Sequence, residues 1–271
     1  MRTPALLTLD RSISELNTYF VLSELYARDF WARNADIAAE SPDQLLTVAF
    51  PNNPSAKQIN IPLRSLKIQS DQYESFLIQQ VISRCSEAAK DYFDWIENFN
   101  IAMFGVKRDS ELSFFDGIAK QVGVPIASLT DQECIWTLDH LRSRRNCLVH
   151  REANANSAFK DLCRQKGDRL DKYWSKRLAP RRDARVDFKD ADPGNIDSQT
   201  FLDLLHFTRL SAETFDKNYC LHLPKPKLER HIESEFDKQV GSKKMLEAKR
   251  KKKLTQFGLR LFDYQFFGHV V

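Results

Sequence analysis

Apolar residues recur along this chain mostly at the three- and four-residue spacing of amphipathic helices. Ser12-x-x-Glu15 has the form of a capping box. Leu16, Phe20, Leu22, Leu25, Phe30 and Trp31 follow it at helical spacing, which predicts a helix from Ser12 to about residue 40, broken by Pro42. Prolines at 42, 51, 54 and 62 and weak periodicity mark 43–68 as a loop insertion, with Leu45–Phe50 and Ile59–Leu63 as short extended pieces. A long helix is expected over 71–101, where Phe76, Val81, Ile82, Cys85, Tyr92, Trp95, Ile96 and Phe99 form a wide apolar face. A shorter one over 111–122 ends at Gly123 and Pro125. Thr130-x-x-Glu133 is a second capping box, opening a helix that carries Cys134, Leu138, Leu141, Arg145 and Leu148.

After His150 the pattern changes. Residues 154–180 read as polar, basic and weakly helical, 184–188 as a short strand and 190–197 as a turn region. An amphipathic helix over 196–220 follows an Asp197 cap. Pro224 and Pro226 punctuate the chain, and a highly charged helix from Leu228 to about Leu254 ends in the basic run 249–253, before an aromatic tail from Phe257. These elements predict an all-α antiparallel bundle over 1–222 with the 43–68 insertion, and a basic helical extension over 223–271.

Composition narrows the chemistry. Only 8 of 271 residues are glycine, and no GxGxxG or GxxxxGK[ST] run occurs, so the usual nucleotide cradles are absent. Five cysteines without a CxxC give neither a zinc pattern nor a disulfide framework, and no cofactor or metal is expected. No apolar run approaches a membrane span, and the first residues are too weakly apolar for a signal peptide, so a cytoplasmic protein is the expectation. Residues 1–150 hold 15 basic and 19 acidic side chains, whereas 151–271 hold 26 and 18. The basic second half suits a polyanionic partner.

The informative segment is LRSRRNCLVHR, residues 141–151. Leu138, Leu141 and Leu148 share a helix face with Arg145, where an arginine is costly unless an anionic group meets it. His150 lies five residues on, about 140° round the helix and about 7.5 Å along it. Arg145 and His150 reach a common point only if the helix end bends or a second chain supplies one of the groups. The bland reading also stands: Arg145 pairs with a buried carboxylate and His150 merely ends the helix.

Arg145-Asn146-Cys147-Leu148-Val149-His150 resembles the R-x4–6-H signature of the HEPN superfamily, with Asn in the second place. The order of long helices, a short helix and a motif helix is similar too, over roughly residues 10–220. The resemblance implies an all-α bundle that forms homodimers with a composite cleft, and a metal-independent endoribonuclease. It implies Arg145, Asn146 and His150 as catalytic residues, and a toxin or effector of prokaryotic anti-phage or stress defence restrained by an antitoxin or regulatory partner. An acidic helper on an earlier helix is sometimes present in the superfamily; Glu87, Asp94 and Glu97 are the options here.

Arg142, Arg144 and Arg151 flank the motif and are candidate RNA-binding residues, each able to grip a phosphate or to line a solvated helix face. Lys176, Arg177, Arg181, Arg182 and Arg185 form a second basic cluster around Pro180. Two other readings remain: a catalytically inactive helical interaction or dimerisation module, and a basic nucleic-acid binder without chemistry.

Overall fold

A computed structural model describes residues 1–105, 107, 109, 111–150, 153–178, 185–240 and 247–262. Among them the protein is all-helical, with one isolated antiparallel bridge between Leu45 and Pro62 and no strand. No helix among these residues is long and apolar enough to cross a membrane.

Helix α1 spans Pro4–Arg33, eight residues earlier than the pattern predicts. Its cap is Thr3, whose hydroxyl accepts from the Leu6 amide at 3.1 Å, with Pro4 supplying a preset φ at the first helical position. Ser12 and Glu15 therefore lie inside the helix. Short α2 (Ala35–Glu40) follows after the non-helical Asn34. The expected extended piece over 45–50 is instead a short helix, α3 (Leu46–Ala49); α4 (Pro54–Ile59) precedes the piece expected over 59–63, where Pro62 bridges to Leu45. Helices α3 and α4 close over a small core of Leu46, Ala56 and Leu63. Asn60, at φ 37°, ends α4 in the left-handed conformation that Asn tolerates.

Helix α5 (Leu63–Phe104) runs 42 residues, about 63 Å, and starts earlier than the 71–101 expectation because Pro62 can precede a helix but not interrupt one. Gly105 ends it at φ 70°. Helix α6 (Phe114–Val122) is capped by Ser113 and stopped by Gly123. Helix α7 (Gln132–His150) begins directly after Asp131, whose carbonyl accepts from the Cys134 amide, so Asp131 rather than Thr130 stands at the cap position; Thr130 is buried.

The largest departure is α8 (Ala153–Leu178), a full 26-residue helix where the sequence looks weakly helical. Its apolar residues are few but aligned: Phe159, Cys163, Leu170, Trp174 and Leu178 are all buried. Gly167 sits mid-helix because the 185–195 loop crosses there. A Cβ at this position would lie 2.8 Å from the Phe188 carbonyl oxygen. That loop holds Val186 and Phe188 in the core without forming the expected strand over 184–188; residue 184 lies outside the described residues.

Helix α9 (Ser198–His222) is capped by Asp197 as the sequence indicates, with the Thr200 amide 2.6 Å from its carboxylate. The charged C-terminal stretch forms two helices, α10 (Lys225–Val240) and α11 (Glu247–Phe262), rather than one. Leu228, Ile232, Phe236, Leu254 and Phe262 belong to the main core with α1, α5 and α9.

Helices α1, α5, α7 and α9 pack on one another, and α8 packs on α7. Asp216 of α9 ties the bundle together: it accepts from the Thr3 amide at 3.0 Å, from the Thr3 hydroxyl and from the Tyr92 hydroxyl at 3.2 Å. Burial raises the Asp216 carboxyl above the usual carboxylate range, against the pull of these donors.

Candidate functional site

Helix α7 lies between α5 on one flank and α8 on the other. Cys134, Thr137, His140, Leu141, Arg144 and Cys147 turn inward at three- and four-residue steps, while Arg142 and Val149 face solvent. Arg145 stands at the edge of the buried face, its side chain 24% exposed.

The Arg145 guanidinium meets Asn146 and Glu87. Its Nη1 donates to the Asn146 side-chain oxygen at 3.2 Å, and its Nη2 lies 3.8 Å from Oε1 of Glu87 on α5. Glu87 also accepts from Arg84 Nη1 at 3.2 Å. Glu87 is 46% exposed, so Arg145 meets a wet carboxylate at the bundle edge rather than a buried one. Of the three acidic side chains read as helpers, Glu87 meets Arg145. Asp94 pairs with Lys90, about 10 Å further along α5. Glu97 lies further still, about 15 Å from Glu87. Arg84 was not legible from the motif; its position three residues before Glu87 on α5 is the signal.

His150 is the last residue of α7. Its side chain, and Arg151, Arg181 and Arg182 altogether, lie outside the described residues.

The three flanking arginines take different places. Arg142 is exposed and pairs with Asp139 at 3.0 Å. Arg144, read from sequence as a phosphate grip, is instead inside the α7–α8 interface, 1% exposed, with its guanidinium 5.2 Å from the Phe159 ring centroid. Its Nε and Nη1 have no hydrogen-bond partner, and burial lowers its pKa. One turn back, His140 is fully buried between Phe159 and Phe188, with neither ring nitrogen hydrogen-bonded. Burial, and then the Arg144 charge, hold its pKa well below the ordinary histidine value.

Cys147 and Cys163 border the same interior. Burial raises both thiols, Cys163 to about 11, so neither is a poised nucleophile. Of the basic cluster around Pro180, Lys176 and Arg177 lie on the last turn of α8, and Arg185 donates to Gln199 at 2.8 Å.

A partly exposed guanidinium braced by an amide and a carboxylate, on the helix that ends in a histidine, can receive a phosphate oxygen. The chain matches no protein-family model, no curated protein and no solved structure.

Proposed function

We propose that the protein is a metal-independent endoribonuclease of the HEPN type, with Arg145, Asn146 and His150 as its catalytic group. The observation that carries this reading is the state of Arg145. It is partly exposed at the bundle edge, contacted by Asn146 and Glu87, and set on the final turns of the helix that ends at His150.

The chemistry needs three things. A base takes the proton of the ribose 2′-OH, a cation meets the charge that builds on the phosphorane oxygens, and an acid protonates the departing 5′ oxygen. Histidine titrates near neutrality and serves for the proton transfers, while the guanidinium fork matches two phosphate oxygens. One histidine cannot be base and acid on opposite sides of the same phosphorus at once. A homodimer that brings two motifs to one cleft supplies the second. The products are a 2′,3′-cyclic phosphate and a 5′-hydroxyl, with no water consumed. The setting that accompanies this reading is a defence or stress effector held in check by an antitoxin or regulatory protein.

The test is a comparison of substrates in excess chelator. RNA should be cut, and the same sequence 2′-O-methylated throughout should survive. Cleavage of both, or a strict need for added metal, contradicts the reading.

One observation favours an interaction module instead. Tyr19, Leu22 and Tyr26 on α1 share a face at 65%, 39% and 68% exposure, and Tyr73 and Phe76 on α5 are also exposed. Apolar surface of this kind suits an assembly contact. Serine at Tyr19, Leu22 and Tyr26 that breaks an assembly while a His150→Ala change alters nothing would favour the module.

A further inference from the structure

Helix α8 carries seven basic and three acidic residues, yet it folds as a helix whose like charges are neighbours. Lys160 and Arg164 are four residues apart, as are Lys172 and Lys176, and all four are exposed. Like-charged pairs at this spacing weaken a helix. Elsewhere the opposite arrangement prevails: Arg28 pairs with Glu24, Arg33 with Asp29, Lys90 with Asp94 and Lys238 with Glu235. On α8, Arg164 has Asp161 at 2.7 Å, while Lys160, Lys172 and Lys176 have no carboxylate partner among the described residues. Asp168, the one acid in this row, is drawn toward Lys189 at 3.7 Å. The helix tolerates the repulsion because its other face is anchored by Phe159, Leu170 and Trp174.

Lys160, Arg164, Lys172 and Lys176 lie along a single i, i+4 row, about 24 Å from end to end, with Asp168 at its middle position. Four of the row's five positions are basic, and it lacks an exposed apolar neighbour large enough to enter a lipid interface or a protein pocket; Ser157, Gln165 and Ser175 are among the exposed residues beside it. A linear row of cations without an apolar anchor matches a chain of phosphates. The helix begins at Ala153, three positions after His150, so the row leads away from the proposed cleavage site.

We propose that this face of α8 is the track along which the RNA substrate's phosphodiester backbone lies. The choice of RNA rests on the nuclease reading, but binding is measurable without cleavage. The probe is a fluorescently labelled 2′-O-methyl oligoribonucleotide, which lacks the nucleophile, titrated against the full chain over a range of salt. One variant carries Lys160→Ala, Arg164→Ala, Lys172→Ala and Lys176→Ala; alanine is the best helix former, so α8 is retained. The control removes equal charge from α11, with Lys249→Ala, Lys251→Ala, Lys252→Ala and Lys253→Ala, four lysines that are exposed on the described helix. Thermal melts followed by circular dichroism establish that each variant is folded.

The α8 variant should bind at least about ten-fold more weakly, with the log–log salt slope shallower by about 3, as four lost phosphate contacts on a single strand require. The α11 control should stay close to wild type. Equal weakening by both variants would reduce the effect to net charge and overturn the proposal, as would unchanged binding by the α8 variant or no binding by wild type. If wild type binds through α8 but cuts no unmodified RNA, the nuclease reading fails and the track stands.

Discussion

Arg145 and Glu87 face each other across the α5–α7 interface at 3.8 Å, with the guanidinium anchored on its other side by Asn146. Both partners are wet enough that the pair contributes little to stability, about 0–1 kcal/mol. Its consequence is directional: it points Arg145 toward solvent at the bundle edge. Glu87→Gln should therefore leave the melting temperature nearly unchanged while lowering the rate of RNA cleavage. A large fall in melting temperature, or an unchanged rate, would show that Glu87 does not orient Arg145 for the reaction.

The Asp216 network should govern stability rather than activity. Asp216→Ala strands the Thr3 amide, the Thr3 hydroxyl and the Tyr92 hydroxyl in a dry interior. That should cost about 2–4 kcal/mol. Tyr92→Phe removes one donor only and should cost about 1 kcal/mol. Denaturant unfolding of both variants checks the order; equal losses would mean that Asp216 is not the hub of the network.

Arg144 makes a prediction of opposite sign. Its Nε and Nη1 are buried without acceptors; the Phe159 ring meets the guanidinium, and Asp190 and Asp192 act on it only through space. Arg144→Met keeps the length and removes the desolvated charge, so it should raise stability by about 1 kcal/mol or more. A loss beyond about 2 kcal/mol, in the range for breaking a buried charge pair, would show that the guanidinium is satisfied by a partner in solution.

His140 sets a pH dependence. Its pKa is well below the ordinary 6.5 when folded, so the native state keeps it neutral while the unfolded chain takes up a proton. The unfolded state then binds more protons below 6.5, and stability falls as pH drops through that value. His231 is shifted in the same direction and adds to the trend. His140→Phe should flatten the fall in melting temperature between neutral and mildly acidic pH. An unchanged slope would mean that His140 is solvated or paired.

The helical class and the long α5 and α9 were legible because their apolar faces are wide, and Asp197 marks where α9 begins. Helix α8 was not, since a single line of buried residues is lost among seven basic side chains and a glycine whose purpose is the loop passing over it. The Thr3 cap was hidden because its meaning depends on Asp216, 213 residues away.

Within the motif, spacing placed Arg145 on the apolar stripe, and the structure sets it at that stripe's edge beside Glu87. The neighbouring Arg144 is the one taken inside. A helix position only one residue on is turned by about 100°, and which of two adjacent arginines faces α8 is decided by where α8 packs, which the periodicity of α7 alone does not contain. Phe159, on the segment read as weakly helical, makes that choice.

The central claim is tested most directly by incubating the purified protein with RNA in EDTA, beside Arg145→Ala and His150→Ala. Wild type alone should cut, leaving 2′,3′-cyclic phosphate and 5′-hydroxyl ends, while both variants stay folded and inactive. Equal cleavage by all three, or no cleavage by a folded wild-type dimer, would contradict the assignment of Arg145 and His150 to the chemistry.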